Sequence, residues 1–299
     1  MQLKLSHIGE HSQRLFHGRG RVYPGLEHVT VDYFSPALLI TFYKDEGQEK
    51  ECAVIECVKQ CLQSACENEK PLLVQQRWQQ RPRFDWVSGE CEDLCARRGE
   101  LTFNLSLNHQ NIGYFLDIEP ARFWLEEQCK NKSVLNLFSY TCVFSAVAMA
   151  AGASSVVNMD LSSPSLAMGR DNHRRNGLSL DNVKFYANDI FKSWSRLKRN
   201  GPYDIVVIDP PSYQKGSFIA QKDYIKVLRR MRSLLTDGGY VLACLNAPEI
   251  CADEFNDWLT EGLQGFTFIR QLPSNTDFPD ADPQRALKLF VYQQDSQIP

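Results

Sequence analysis

The last two thirds of the chain alternate between two kinds of segment, and this alternation constrains the fold more than any other feature. From about residue 100, short apolar and β-branched runs typical of buried strands are each followed by a stretch with helical periodicity. Residues 101–107 and 111–117 are expected to form a hairpin that leads into a helix at 119–130. The strands expected after it are residues 134–138, 155–160, 183–187, 204–209, 240–244, 266–271 and 287–293. The helices expected between them are residues 143–151, 163–176, 190–199, 219–235 and 250–263. This order predicts an α/β fold with a doubly wound parallel sheet that helices cover on both faces.

The first hundred residues lack this alternation and indicate a separate small domain. Two β-rich segments, 29–34 and 37–43, precede an amphipathic helix at 50–66. We therefore expect a small N-terminal α+β domain over residues 1–95 and a larger domain over residues 96–299.

Composition and charge exclude several classes of protein. With 43% hydrophobic and 23% charged residues, this chain of 299 residues is neither disordered nor fibrous. Because the formal net charge is −3, binding to nucleic acid would need a local basic patch. No apolar run is long enough for a membrane span and the start lacks a signal-peptide core, so we expect a cytoplasmic protein without a membrane partner. The 10 cysteines include no C-x-x-C pair, so we expect reduced thiols and no metal site.

Acidic or polar residues close the first four predicted parallel strands. Ser139-Tyr140-Thr141 follows the first, Asp160 ends the second, Asn188-Asp189 follows the third, and Asp209 ends the fourth. Ligands of such sheets bind at the carboxyl ends of the strands, where an acidic residue after the second strand can accept hydrogen bonds from a ribose. A single aspartate at a strand end is more often a helix cap, but four such signals in order favour a binding site.

The turn after the first strand distinguishes between nucleotide ligands. A dinucleotide site needs glycines there, so that backbone N–H groups can approach a pyrophosphate. Residues 139–144 contain no glycine, lysine or arginine. We therefore expect a nucleoside ligand without phosphates, and S-adenosylmethionine fits that description.

Asp209-Pro210-Pro211-Ser212-Tyr213 is the sharpest motif in the chain. Two consecutive prolines remove two N–H donors, so the backbone leaves the sheet and presents carbonyls and the Asp209 side chain to the crevice. An aromatic ring two residues later can stack on a planar base. The alternative is a rigid turn with no role in binding.

These motifs resemble those of class I S-adenosylmethionine-dependent RNA methyltransferases. The resemblance is closer to the bacterial family that modifies large-subunit ribosomal RNA, which includes 5-methylcytosine and 7-methylguanine enzymes. It rests on the segments Gly113–Asp117 with Arg122, Asn136–Thr141, Asp160–Ser162, Asn176–Leu178, Asn188-Asp189 and Asp209–Tyr213. It implies a Rossmann-like methyltransferase sheet, S-adenosyl-L-methionine as cofactor and ribosomal RNA as partner. The PUA RNA-binding domain of that family is not evident.

The resemblance also implies a set of site residues. Asp160 would hold the ribose, Asn188 and Asp189 the adenine edge, and Asp117 and Arg122 the methionine end. The residues expected to bind the cofactor are Phe115, Asp117, Arg122, Asn136, Phe138, Ser139, Tyr140, Thr141, Asp160, Leu161, Ser162, Asn188, Asp189 and Asp209. The residues expected to act on the acceptor base are Asp209, Pro210, Pro211 and Tyr213.

Two departures from the family pattern affect the expected chemistry. Cys142 and Val143 stand where the family usually has glycines, which would narrow the room for the methionine tail. A 5-methylcytosine enzyme needs a cysteine thiolate to attack the base, but the expected position is Asn246. Cys244 lies deeper in the strand and is interpreted as a core residue. We therefore favour methylation of a purine nitrogen.

Two other functions stay open at this level. One is a non-catalytic RNA-binding relative with a degenerate pocket, and the other is a methyltransferase for a protein or a small molecule. The best candidates for RNA contact in the N-terminal domain are Arg77, Arg81 and Arg83, which are interleaved with Trp78 and Trp86. The helix face of Lys222, Lys226, Arg229 and Arg230 is a weaker candidate, and nothing in the sequence indicates an oligomeric state.

Overall fold

The computed structural model describes residues 8–65, 70–214 and 218–296. It divides into two compact units. The first comprises Met1–Leu116 and Thr276–Ala281, and the second comprises Asp117–Asn275 and Asp282–Pro299. The division therefore falls after Leu116, whereas the sequence indicated a boundary after residue 95.

The first unit is built on a five-stranded sheet in the order β1-β2-β3-β4-β5. Its strands are β1 (Gln13–His17), β2 (Val29–Phe34), β3 (Ala37–Phe42), β4 (Leu72–Gln76) and β5 (Phe84–Ser88). β3 and β4 pair parallel, and the other neighbours pair antiparallel. Helix α1 (Gln48–Ser64) connects the two parallel strands, and its Val58 and Leu62 pack into the core beside Val31 and Ile40.

One predicted hairpin is wrong. β7 (Leu101–Asn104) pairs antiparallel with β6 (Cys95–Arg98) instead of with residues 111–117. The sequence of β6 looks like a charged loop because two arginines and a glycine, Arg97, Arg98 and Gly99, follow each other there. Its Cys95 and Ala96 are nevertheless buried. A two-residue connection containing a glycine at φ 55° closes this hairpin.

The second unit contains a seven-stranded sheet in the order β10-β9-β8-β11-β14-β16-β15. Its strands are β8 (Ser133–Leu137), β9 (Ser155–Asp160), β10 (Val183–Ala187), β11 (Tyr203–Ile208), β14 (Leu235–Leu245), β15 (Phe266–Gln271) and β16 (Lys288–Gln294). The first five strands in that order are parallel, and β16 and β15 are antiparallel. The predicted α/β class and the central parallel sheet are confirmed. A two-stranded ribbon of β12 (Tyr213–Gln214) and β13 (Phe218–Ile219) lies outside this sheet.

Helices cover both faces of this sheet. They are α2 (Glu119–Gln128), α3 (Val143–Ala150), α4 (Ser163–Arg175), α5 (Trp194–Asn200), α6 (Ala220–Leu228) and α7 (Ala252–Gly262). Residues that alternate along one strand enter two separate cores: Leu135 and Leu137 pack with α6 and α7, whereas Val134 packs with α2 and α3. A strand with both faces buried needs a continuous run of apolar residues, and such runs allowed the central strands to be predicted from the sequence.

Two predicted helices are shorter than expected. The helix predicted at 190–199 is divided into a 3₁₀ turn, Ile190–Lys192, and α5. The helix predicted at 219–235 ends as α6 at Leu228 and is followed by the 3₁₀ turn Met231–Ser233. No helix in the described ranges is long and apolar enough to cross a membrane.

Candidate functional site

The carboxyl ends of the five parallel strands meet at one edge of the second unit's sheet, and the predicted site residues lie there. Asp160 is the last residue of β9, and it aligns with Ala187 at the end of β10. β11 ends at Ile208, directly before Asp209, and aligns with Ala243 near the end of β14. Because this edge combines buried backbone with polar side chains, it is where a ligand would bind.

The turn that joins β8 to α3 has an unusual backbone. Phe138, Tyr140 and Cys142 have φ of 56°, 45° and 58°, so every second residue of the turn is left-handed. Each such residue costs about 1–3 kcal/mol when it is not glycine. When left-handed and right-handed residues alternate, successive backbone N–H groups point towards one side, and together they can bind a negatively charged group. We call residues 138–142 the alternating turn.

Asp160 is one such partner. Its Oδ2 accepts a hydrogen bond from the Tyr140 N–H at 2.8 Å, and its Oδ1 accepts one from the Ser162 N–H at 2.8 Å. Burial raises the pKa of Asp160, and the backbone N–H groups oppose that shift. The carboxylate therefore ties the alternating turn to the start of α4, where the Ser162 hydroxyl caps the helix by accepting from the Ser165 N–H at 3.2 Å. Leu161 beside it is 43% exposed.

Asn188 and Asp189, which follow β10, both make hydrogen bonds to nearby residues of the chain. The Asp189 carboxylate caps the following 3₁₀ turn by accepting from the Phe191 N–H at 2.8 Å. The Asn188 side-chain oxygen accepts from the Arg196 guanidinium. Both residues lie at the expected edge of the sheet, and their contact with an adenine stays a prediction.

The residues of the alternating turn and its strand differ in accessibility. Asn136 is 1% exposed and donates from Nδ2 to Asn158 Oδ1 at 3.0 Å, below the surface of the site. Phe138 is half-buried and packs edge-on against Phe218, with ring centroids 4.9 Å apart. Thr141 is buried, and its carbonyl accepts from Asn172. The predicted contacts of Asn136, Phe138 and Thr141 with a cofactor stay predictions.

Ser139 provides a test of whether the site fits a nucleoside with a polar tail. Its hydroxyl is buried, and among the described residues it has only the Cys142 thiol, a weak hydrogen-bonding group, beside it. A buried hydroxyl without a strong partner costs about 1–3 kcal/mol, so a polar ligand group at this turn would provide that partner. The turn thus fits a ligand that carries a polar tail.

Asp209 lies at the centre of the second half of the site. Burial raises its pKa to about 7, the carboxylate of Asp117 adds to the shift, and Arg122 opposes it. Pro210 is buried and Pro211 is exposed, whereas Tyr213 is 63% exposed at the start of the β12–β13 ribbon. The turn of residues 209–213 thus contains both a carboxyl group that titrates near neutral pH, Asp209, and an accessible aromatic ring, Tyr213.

Asn246 joins this group across the sheet. Its Nδ2 donates a hydrogen bond to Asp117 Oδ2 at 3.0 Å, although 129 positions separate the two residues. Arg122 is 2% exposed and its Nη1 donates to Glu119 Oε2 at 3.0 Å. Asp117, Asp209 and Asn246 therefore form a polar wall, which we call the acceptor wall.

Sequence reasoning did not include Asn246 or Tyr224 among the site residues. The Tyr224 hydroxyl is fully buried and lies 3.1 Å from the carbonyl oxygen of Ile208 and 3.0 Å from that of Cys244. It thereby holds the ends of β11 and β14 together beneath the acceptor wall. A tyrosine on an amphipathic helix carries no signal of this role.

Cys244 is a core residue, as the sequence indicated. It is fully buried, and burial raises the pKa of its thiol well above the usual range, with the carboxylates of Asp209 and Asp117 adding to the shift. A thiolate is therefore strongly disfavoured at this position.

Phe115 belongs to the first unit and is 42% exposed there. Its predicted contact with the cofactor stays a prediction.

Comparison with known proteins finds similar sequences over most of the chain. The sequence model of a family described as S-adenosylmethionine-dependent methyltransferase matches residues 13–293. YwbD of Bacillus subtilis is 29% identical over 287 residues, which cover 89% of this chain and 69% of YwbD. Ribosomal RNA large subunit methyltransferase I of Photobacterium profundum is 27% identical over 226 residues, covering 73% of this chain and 57% of that protein.

A solved structure is similar over most of the chain. SMU.776, whose crystal structure contains SAH, superposes with a TM-score of 0.80 at 26% sequence identity. The match covers 94% of this chain and 75% of that one.

Proposed function

The chain belongs to the S-adenosylmethionine-dependent methyltransferase family, and from that premise we propose that it methylates a purine nitrogen in large-subunit ribosomal RNA. The cofactor supplies the activated methyl group when it is bound. The relative from Photobacterium profundum, which is named for large-subunit ribosomal RNA, supports the substrate class. The choice of a purine nitrogen rests on the chemistry of the acceptor wall.

Among the described residues, no cysteine with an accessible thiol is seen in the acceptor wall, and this observation carries the choice of base. Methylation at carbon 5 of cytosine needs a cysteine thiolate that adds to the ring. Of the four cysteines in the second unit, Cys129, Cys142 and Cys244 are fully buried. The fourth, Cys251, uses its sulfur to cap α7, accepting from the Glu254 N–H at 3.4 Å. A ring or exocyclic nitrogen of a purine needs no such addition, because its lone pair attacks the methyl group directly.

The acceptor wall supports recognition of a purine edge. One N–H of the Asn246 amide is directed to Asp117, which fixes the orientation of the amide plane. Asp209 titrates near neutral pH, so it can either donate or accept a hydrogen bond at a base edge. For an exocyclic amine, the ionised carboxylate would accept a hydrogen bond and raise the nucleophilicity of the nitrogen. The exposed Tyr213 ring would stack on the base once it has left any helix.

The cofactor assignment follows the strand ends. We propose that Asp160 and Leu161 face the adenosine and that Asn188 and Asp189 lie at its adenine edge. The Ser139 hydroxyl and the alternating turn would face the amino-acid tail, with Asp117 and Arg122 beyond it. Holding the acceptor nitrogen in line with the methyl group accounts for most of the rate in such a reaction.

The first unit is proposed to dock the RNA. Trp78 is 38% exposed, and Arg81 beside it is exposed as well. The Arg19 guanidinium lies 4.2 Å and the Arg77 guanidinium 5.6 Å from the centre of the Tyr43 ring. Basic groups stacked with aromatic rings are suited to unpaired bases and phosphates. Arg83 pairs with the Asp85 carboxylate at 2.8 Å, so Trp78, Arg77 and Arg81 carry this proposal. On the helix face of α6, Lys226 and Arg229 likewise pair with carboxylates, which makes that face a poorer candidate.

A comparison of ribosomal RNA modification tests this proposal. Large-subunit RNA is isolated from cells with and without the protein, and methylated nucleotides are mapped by mass spectrometry. We expect one methylated purine to disappear with the protein and to return with the wild-type gene but not with Asp209→Ala. Loss of a 5-methylcytosine, or identical maps, would contradict the proposal.

A further inference from the structure

The alternating turn has no glycine, yet it adopts three left-handed residues in a row of five. We infer that helix α4 stabilises the left-handed residues of the alternating turn, a conformation that glycines would adopt without help. Gly169 and Asn172 of this helix are then positioning residues for the alternating turn. This inference rests on the proposed role of the turn in holding S-adenosylmethionine. It assigns a cofactor-positioning role to a helix that carries none of the motif residues.

Gly169 makes room for the Cys142 side chain, one of the two that stand where the resembled family usually has glycines. A Cβ at position 169 would lie 2.5 Å from Cys142 Sγ, 2.8 Å from Cys142 Cβ and 3.3 Å from the Thr141 carbonyl oxygen. Rotation of the thiol could relieve the first contact but not the second, because Cβ is fixed by the backbone. The Cys142 side chain therefore fits only because position 169 of α4 is a glycine and has no side chain of its own.

Asn172 holds the backbone of the same turn. It lies three residues after Gly169, on the same helix face, and its Nδ2 donates to the Thr141 carbonyl oxygen at 3.0 Å. Asn172 is completely buried. From the other side, the Asp160 carboxylate accepts from the Tyr140 N–H. The peptide groups that precede the left-handed Tyr140 and Cys142 are thus held by side chains from elsewhere in the chain.

A buried hydrogen-bond network fixes where α4 lies. His173 Nδ1 is 2.8 Å from the Gly169 carbonyl oxygen, so Nδ1 carries the hydrogen and Nε2 accepts from the Ser145 hydroxyl at 3.0 Å. Asn158 Nδ2 in turn donates to Ser145 Oγ at 2.9 Å. Burial lowers the pKa of His173, so the ring stays neutral, as this pattern requires. The network joins α4 to α3 and β9 and thereby sets the position of Gly169 against Cys142.

The test is a set of variants of the full-length chain with two readouts, calorimetric affinity for S-adenosylhomocysteine and the Tm of the ligand-free protein. Gly169→Ala should bind at least tenfold more weakly than wild type, although alanine is the better helix former. Adding Cys142→Gly should restore affinity to within threefold, because both close contacts with Cys142 disappear. Adding Cys142→Ala should restore little, because Cβ remains. Asn172→Ala should also weaken binding at least fivefold.

A matched control separates positioning from general overpacking. In Gly262→Ala on α7, the new Cβ would lie 2.6 Å from Leu228 Cβ, a comparable clash against α6. This variant should lower the Tm and keep affinity within threefold of wild type. Wild-type affinity in Gly169→Ala, or a double variant with Cys142→Gly that stays as weak as Gly169→Ala, would overturn the inference. A wild-type protein that binds no S-adenosylhomocysteine would instead contradict the proposed site.

Discussion

The raised pKa of Asp209 predicts that the protein becomes less stable as the pH rises through neutrality. In the unfolded chain this carboxyl ionises near 3.8, whereas burial and the Asp117 carboxylate keep it protonated in the fold up to about pH 7. The native state therefore binds more protons than the unfolded state between these values, and stability falls with rising pH. Tyr224 and Cys244, which face Asp209, have pKa values raised well above their usual ranges, so both stay neutral throughout.

The size of this effect follows from the two pKa values. With a folded pKa of about 7 and an unfolded pKa of 3.8, ionisation of Asp209 lowers the free energy of unfolding by roughly 2 kcal/mol at pH 5 and roughly 4 kcal/mol at pH 8. Asp209→Asn removes the titrating group and keeps its shape. The free energy of unfolding of this variant, relative to wild type, should therefore rise by about 2–3 kcal/mol between pH 5 and pH 8.

Urea unfolding at pH 5, 6, 7 and 8 measures this difference. Asp171→Asn on the exposed face of α4 is the control, and its difference from wild type should not follow the same curve. Because Asp117 and Arg122 also face Asp209, the comparison uses the difference between variants and not the wild-type curve alone. An Asp209→Asn effect that is the same at pH 5 and pH 8 would refute the reasoning.

Three further predictions concern binding and catalysis. Asp160→Ala should lose most of its affinity for S-adenosylmethionine by calorimetry, because the variant lacks both the proposed ribose ligand and the acceptor for the Tyr140 N–H. Unchanged binding would contradict the cofactor assignment. Cys244→Ala should keep at least about a tenth of activity, because loss of a covalent step usually costs several powers of ten, and the wild-type protein should form no adduct with 5-fluorocytosine RNA; a trapped adduct would overturn this prediction. The resemblance implied that Asp209 contacts both the cofactor and the base, and its place in the acceptor wall favours the base. If the motif orients the base and does not hold the cofactor, Asp209→Ala and Tyr213→Ala should bind the cofactor within about threefold of wild type and lose about a hundredfold in single-turnover methyl transfer, with Tyr213→Phe mild; a parallel loss of affinity would place the motif in the cofactor pocket.

The sheet of the second unit could be predicted because its central strands are buried on both faces. Ser155–Asp160 has the predicted bounds, since buried apolar residues occupy successive positions in it. The edge strand Val183–Ala187 also has the predicted bounds, although only Val183 of this strand is buried. The β6–β7 hairpin could not be predicted, because the arginines of β6 are only partly buried and give the segment the appearance of a loop. Its pairing depends on Leu101–Asn104, which favoured a different partner by sequence alone.

The site was only partly predictable for a different reason. Asp160 and Asp209 follow apolar strands, so their positions at one edge of the sheet follow from the strand order. The left-handed Tyr140 and Cys142 have no signal of their own, because side chains from β9 and α4 hold them in that conformation. The contact of Asn246 with Asp117 likewise depends on the complete sheet.

The most direct test of the proposed function is methyl transfer by the purified protein with identification of the product nucleoside. The full-length chain is incubated with labelled S-adenosylmethionine and large-subunit ribosomal RNA from cells that lack it, and the RNA is digested to nucleosides for mass spectrometry. The account predicts label in one methylated purine nucleoside, with none when Asp209→Ala replaces the wild type. Label in 5-methylcytidine, or label that stays with protein or small molecules while the RNA remains unlabelled, would contradict it.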